Sequence, residues 1–131
     1  MACTLALSND FITKILKAVT NQASYSSPAT VYLALFTSNP NPNNSGTEVS
    51  GTAYARQSIA WNAVSGQTVT NSGTITFPTA GSNWGTITYL AIFDAVSSGN
   101  LIAFAQATAA ITINTGQTYL VSPANLSLAL Q

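Results

Sequence analysis

TVYLALFT, residues 30–37, decides how the rest of the chain is read. Val31, Leu33 and Leu35 alternate with Tyr32, Ala34 and Phe36, the two-residue period of a β-strand. Both alternating sets are apolar, so this strand is expected to be central, with its sheet covered on both faces. SNPNPNNSG (38–46) follows, a Pro/Asn/Gly run that cannot continue a strand and predicts a projecting, partly extended loop.

The same period continues downstream. AYARQSIAW (53–61), TVTN (68–71), TITFP (74–78), GTITYLAIFDA (85–95) and LIAFAQA (101–107) read as strands. AITINTGQTYLVS (110–122) reads as a strand, a turn at NTG and a second strand, and NLSLALQ (125–131) as the last. Upstream, SNDFITKILKAVTNQ (8–22) carries the only helical signal, with Phe11, Ile12, Ile15, Leu16 and Val19 on one face and a helix expected over about 9–20. Ser8 or Asn9 can cap its start, and Asp10 suits the first turn. The pattern is that of an all-β chain: a β-sandwich or jelly roll of about seven to nine short antiparallel strands with one N-terminal helix. Composition does not shift along the chain, so residues 1–131 are expected to form a single β-sandwich domain.

Only 5% of residues are charged, against about 25% in an ordinary soluble domain. The six charges are Asp10, Lys14, Lys17, Glu48, Arg56 and Asp94, and they sum to zero. Ser, Thr and Asn supply the missing polarity, and little charge remains to keep copies apart, so much of the surface is expected to be buried against other protein. Three basic residues cannot make a footprint on phosphates, so nucleic acid is not an expected partner. No apolar run reaches the ~20 residues of a membrane helix, and MACTLALSNDF lacks the basic region of a signal peptide. Folding in a cytoplasm is expected, with the single Cys3 a small apolar filler or a chance residue.

The inventory for catalysis is short. There is no histidine, so a Ser or Cys nucleophile lacks its usual base, and Cys/His metal sites are ruled out. Asp10 is claimed by the helix start, Asp94 by a strand end and Glu48 by a loop, so no carboxyl pair is indicated. No nucleotide or calcium motif occurs. The expectation is no enzyme, no cofactor, no metal and no small-molecule substrate. Asn-Asn-Ser at 43–45 and Asn-Leu-Ser at 125–127 match the glycosylation pattern, as chance predicts in so Asn- and Ser-rich a chain.

Several residues remain as candidates for recognition or for shaping it. Glu48 and Arg56 flank GTAYA and are expected to pair across the base of a loop, fixing its geometry. Trp61 ends a strand and is read as core. Trp84, in the loop SNWG, is read either as an interface anchor or as a cap on the core. Candidate interface residues are therefore Asn39, Pro40 and Pro42 of the projecting loop, Trp84, and the alternating Leu126, Leu128 and Leu130. The last three are expected to complete the chain's own sheet or to add to a neighbour's edge, the former being favoured.

The stretch VYLALFTSNPNPNNSGTEVSGTAYARQSIAW (31–61) resembles a signature of small tailed-phage virion proteins. Its pieces are Ala34-Leu35-Phe36-Thr37, a Pro-containing loop from Asn39 to Ser45, GTEVSG at Gly46–Gly51, and YARQ at Tyr54–Gln57. NSGTITFPTA (71–80) and the Trp84–Asp94 segment continue it, so the likeness covers most of residues 10–122. The resemblance implies a non-enzymatic virion component: a capsid decoration (cement) protein, a minor tail protein or a tail-fibre protein. It brings no catalytic residues. A decoration protein on the outer surface of the capsid is the first expectation, bridging major capsid subunits and binding copies of itself as a dimer or trimer. A minor tail or tail-fibre component, including a receptor-binding tip, is the alternative.

Overall fold

The computed structural model describes residues 3–129. Nine strands and one helix follow in the order β1 (Cys3–Leu7), α1 (Asn9–Val19), β2 (Tyr32–Phe36), β3 (Gln57–Ser58), β4 (Thr68–Thr70), β5 (Ile75–Thr76), β6 (Gly85–Phe93), β7 (Leu101–Ile113), β8 (Leu120–Val121) and β9 (Leu126–Ala129). Seven strands form a curled sheet in the order β3-β2-β6-β7-β1-β9-β4, and β5 pairs with β8 in a small second sheet. This is the all-β sandwich with an N-terminal helix that the period-two pattern predicts.

β2 sits where its sequence puts it. It pairs with β3 on one side and antiparallel with β6 on the other, from Tyr32 opposite Phe93 to Phe36 opposite Tyr89. Leu33 and Leu35 face the main core together with Leu90 and Ile92. Ala34 and Phe36 face a second, smaller cluster with Ala91, Phe93, Leu101 and Phe104. Each large aliphatic side chain so buried contributes about 1.5–3 kcal/mol, which makes this central pair of strands the mechanical spine.

Four expectations change in detail. First, Cys3–Leu7 is a strand, and it pairs antiparallel with β7 and parallel with β9, so the sheet is not wholly antiparallel. Second, most of 53–61 is not strand: only Gln57–Ser58 forms a ladder, because a turn closed by Tyr54 N–H on Gly51 O sends Tyr54 and Arg56 inward. Third, β7 runs unbroken from Leu101 to Ile113. It absorbs an irregularity in which residues 107–110 lie between the pairs Tyr89–Gln106 and Ile87–Ile111, opposite Thr88 alone.

Fourth, the apolar stripe of α1 is split. Ser8 caps the helix, its Oγ accepting from the Phe11 N–H at 3.1 Å and donating to Leu101 O. Phe11 packs against the main core, but Ile12, Leu16 and Val19 are exposed, and no residue of the helix is fully buried.

The sheet curls far enough for its edges to approach one another. Trp61 bridges to Asn71, Asn62 N–H donates to Thr70 O and Ser72 N–H to Ala60 O, so the segment after β3 is laced to β4. Asn71, fully buried, ties this seam to β9: its Nδ2 donates to Gly73 O and Ser122 O, and its Oδ1 accepts from the Leu126 N–H at 2.9 Å.

Candidate functional site

GTEVSG and YARQ are brought together by β2. Glu48 bridges to Phe36 and Val49 N–H donates to Leu35 O, which lays residues 47–49 along the end of the strand. Arg56 reaches back over the smaller core cluster, where its guanidinium lies 3.7 Å above the Phe93 ring. There it grips Glu48 with two parallel bonds, Nε to Oε1 at 2.8 Å and Nη2 to Oε2 at 2.7 Å. Its remaining nitrogen, Nη1, donates to Ala95 O at 3.0 Å and Ser98 O at 2.7 Å. One nearly buried Arg thus joins the 47–56 loop to the 94–100 turn, and its planar fork and aromatic contact are uses that Lys could not reproduce.

Tyr54 completes the latch. Its hydroxyl donates to Glu48 Oε1 at 2.8 Å and accepts from the Leu35 N–H at 3.0 Å. Burial pushes the phenol far above its ordinary range, so the donor is always present. The ring stacks on Phe77 and meets Trp84 edge-on. Trp84 in turn donates from Nε1 to Thr52 O at 3.0 Å, and Gly51 lies so close that an added Cβ would stand 2.3 Å from its ring.

The 94–100 turn has its own closure. Asp94 accepts from the Asn100 N–H at 2.7 Å and from Asn100 Nδ2 at 3.0 Å. Partial burial works to raise the Asp94 carboxyl, but these bonds and the Lys14 charge outweigh it and hold the carboxyl below its ordinary value. Gly99, at φ +73°, turns where a side chain would strike Asp94.

The loop 38–46 is folded down rather than projecting. Pro40 is buried, Ser45 N–H donates to Pro40 O, and Asn41 binds Asn39 and Ser45. Pro42 O accepts from the Asn9 N–H at the helix start, which docks the loop on α1. This end of the molecule therefore carries the loop, bonded to the start of the helix, beside the separately closed turn.

The candidate residues sort accordingly. Asn39 and Pro42 are exposed on the braced end. Pro40 is inside it, so it offers no contact surface. Trp84, 4% exposed, is core and not a surface anchor, because its ring fills the space beside Gly51 and Tyr54. Leu126 is fully buried and Leu128 partly so, in a strand paired within the chain's own sheet. Leu130 lies outside the described residues, and the side chain of Cys3 likewise.

Two features escaped sequence reading. Tyr54 was legible only as a strand residue, since its role depends on a fold-back to Leu35. The second is an apolar mouth of about 450 Å³ at one end of the curled sheet, bounded by Phe11, Tyr25, Trp61, Val64, Val69 and Leu128. Trp61 is only partly buried because one side of it lines this mouth. Val64, 72% exposed in a turn rich in polar residues, was its one visible signal.

Fold and latch define a small β-rich protein whose loops are fixed on a sheet rather than hung from it. The family model described as podophage GP4 fiber I protein gp80 matches residues 6–129, and the chain belongs to that family. It is thereby a virion structural protein of a tailed phage. No curated protein matches the chain.

Proposed function

We propose that this chain is a non-enzymatic component of a phage fibre that works by binding protein within the particle. The family description carries the choice of fibre, the alternative among the two places expected from the sequence. A binding role is supported by how the carboxylates are employed. Asp10 pairs with Lys14, Glu48 with Arg56 and Asp94 with Asn100, so each is engaged in holding local structure. It is further supported by the braced end, where fixed loops present Asn39 and Pro42 without an ordering cost on binding.

Decoration of the capsid shell, bridging major capsid subunits, is the competing reading. Both places suit a neutral, amide-rich surface, and both predict contacts that hold through apolar and hydrogen-bonding groups. Particles washed in about 0.5 M salt should retain the chain, because so few charges are available to be screened. Immunogold labelling of intact particles with an antibody against this chain separates the two places. Label on fibres supports the proposal; label spread evenly over the heads transfers it to shell decoration.

A further inference from the structure

The chain has six charged side chains, and three of them, Asp10, Lys14 and Asp94, line one pocket of about 350 Å³. Of the others, Glu48 and Arg56 are taken up by the latch and Lys17 is exposed on the helix. Asp10 and Lys14 lie in α1, where they pair at 2.7 Å, while Asp94 arrives from the end of β6, far along the chain. An exposed pair at this helical spacing adds little, so stability alone does not account for the gathering. The bond to Asp10 raises the Lys14 amine above its ordinary value and the Asp94 charge adds to that, so the three groups sense one another across the pocket.

The rest of the wall is aromatic, hydroxyl and amide. Tyr25, half-buried, stands edge to face against Phe11 with ring centroids 5.7 Å apart, which fixes an aromatic ring in the pocket. Ser24, Ser26 and Ser27, its neighbours in sequence, add hydroxyls. Asn100 is held by the Asp94 carboxylate and Gly99 makes the turn beside it, so this wall is in place before a ligand arrives. A second pocket of about 310 Å³ shares Asp10 and Asn100 with the first and adds the exposed amides of Asn43 and Asn44. Both pockets have the size of small-ligand sites.

These groups select among ligands. Two carboxylates against one ammonium disfavour an anion. Both carboxylates already hold protein partners, Lys14 and Asn100, and among the described residues no three metal-binding side chains gather for an ion. An apolar ligand would strip water from the polar walls and replace it with nothing. A molecule with many neutral hydroxyls and a C–H face suits every part. Its hydroxyls donate to the carboxylates, whose roughly four acceptor positions each are only partly filled by Lys14 and Asn100. They accept from the serine and amide groups, and the C–H face lies on Tyr25. We propose that these adjoining pockets bind a neutral oligosaccharide, with one unit between Tyr25 and Asp94 and the next against Asn43 and Asn44. The proposal goes beyond the fibre reading and does not depend on it, since the pockets belong to the single chain wherever it stands on the particle.

The test uses the full chain, biotinylated at one terminus and clustered on streptavidin so that weak single contacts reinforce one another. On a printed array of bacterial glycans with neutral and anionic members, it should bind a subset of the neutral ones. Y25A removes the aromatic ring, and S26W fills the pocket from an exposed position outside any helix or strand. Each should weaken binding to those glycans at least about tenfold. K17E, outside the pocket, should bind as the parent does. Circular dichroism melts of S26W should match the parent, which separates lost binding from a lost fold. Titrating a bound glycan, as the free sugar, into isotope-labelled chain should shift the amide signals of 24–27 and 94–100. An array on which no neutral glycan is bound overturns the proposal. So do binding confined to anionic glycans, binding that both variants retain, and shifts that leave those two segments untouched.

Discussion

Arg56 is the residue on which most of the candidate site depends. Replacing it with Ala strands the Glu48 carboxylate against the sheet, frees Ala95 O and Ser98 O, and uncovers Phe93. R56A should lose about 3 kcal/mol, the cost of breaking a buried pair from one side. Thermal unfolding should show that as a Tm lower by roughly 10 °C. R56K keeps the charge but not the fork, and should fall between the two.

Asp94 gives a pH signature. Its carboxyl is held below the ordinary value in the fold, so its contribution is complete above the unfolded pKa and is lost as pH falls through the folded one. Stability of the parent relative to D94N should therefore shrink as pH drops from about 5 to about 3. Denaturant melts at several pH values read it directly, and a difference that stays constant would remove Asp94 from the account. At this scale the Glu48–Arg56 pairing was legible, since two lone opposite charges flank one short loop in a nearly uncharged chain. Asn71 was not. Beside Ser72 and Gly73 it reads as a turn residue, and its buried role is set by Leu126, distant in sequence.

Among the elements, β2 and β6 were the most legible, because strands apolar on both faces have few places to go. The N-terminal segment was the least. Leu5 and Leu7 alternate across Ala6, but a strand this short gains its stability from β7 and β9, both far along the chain. The helix was read correctly as an element and too generously as core, since periodicity reports a stripe and not how much of it is covered. Ser8 is where helix and sheet are joined, capping α1 while its Oγ also reaches Leu101 O. S8A removes the cap and leaves a buried carbonyl short of a partner, and should cost about 1–2 kcal/mol. Hydrogen exchange should then show faster opening over 9–19 than over β2 and β6; uniform opening of the whole chain would mean that Ser8 holds more than the helix.

For the molecule as a whole, period-two patterning was enough to indicate an all-β protein with one N-terminal helix. The shape of its surface was hidden in the sequence. Pro40 looked like a surface feature because its neighbours are polar, and Trp84 could be read as anchor or as core cap, yet the loops carrying both fold inward. The mouth is assembled from residues spread between Phe11 and Leu128, which no local window joins. Position on the particle depends on a partner surface and is carried by the family alone.

Cryo-electron microscopy of purified particles tests the central claim most directly. The account predicts density for this curled sheet and its helix within a fibre. Density for the same fold tiling the capsid shell, or its absence from the particle, would contradict it.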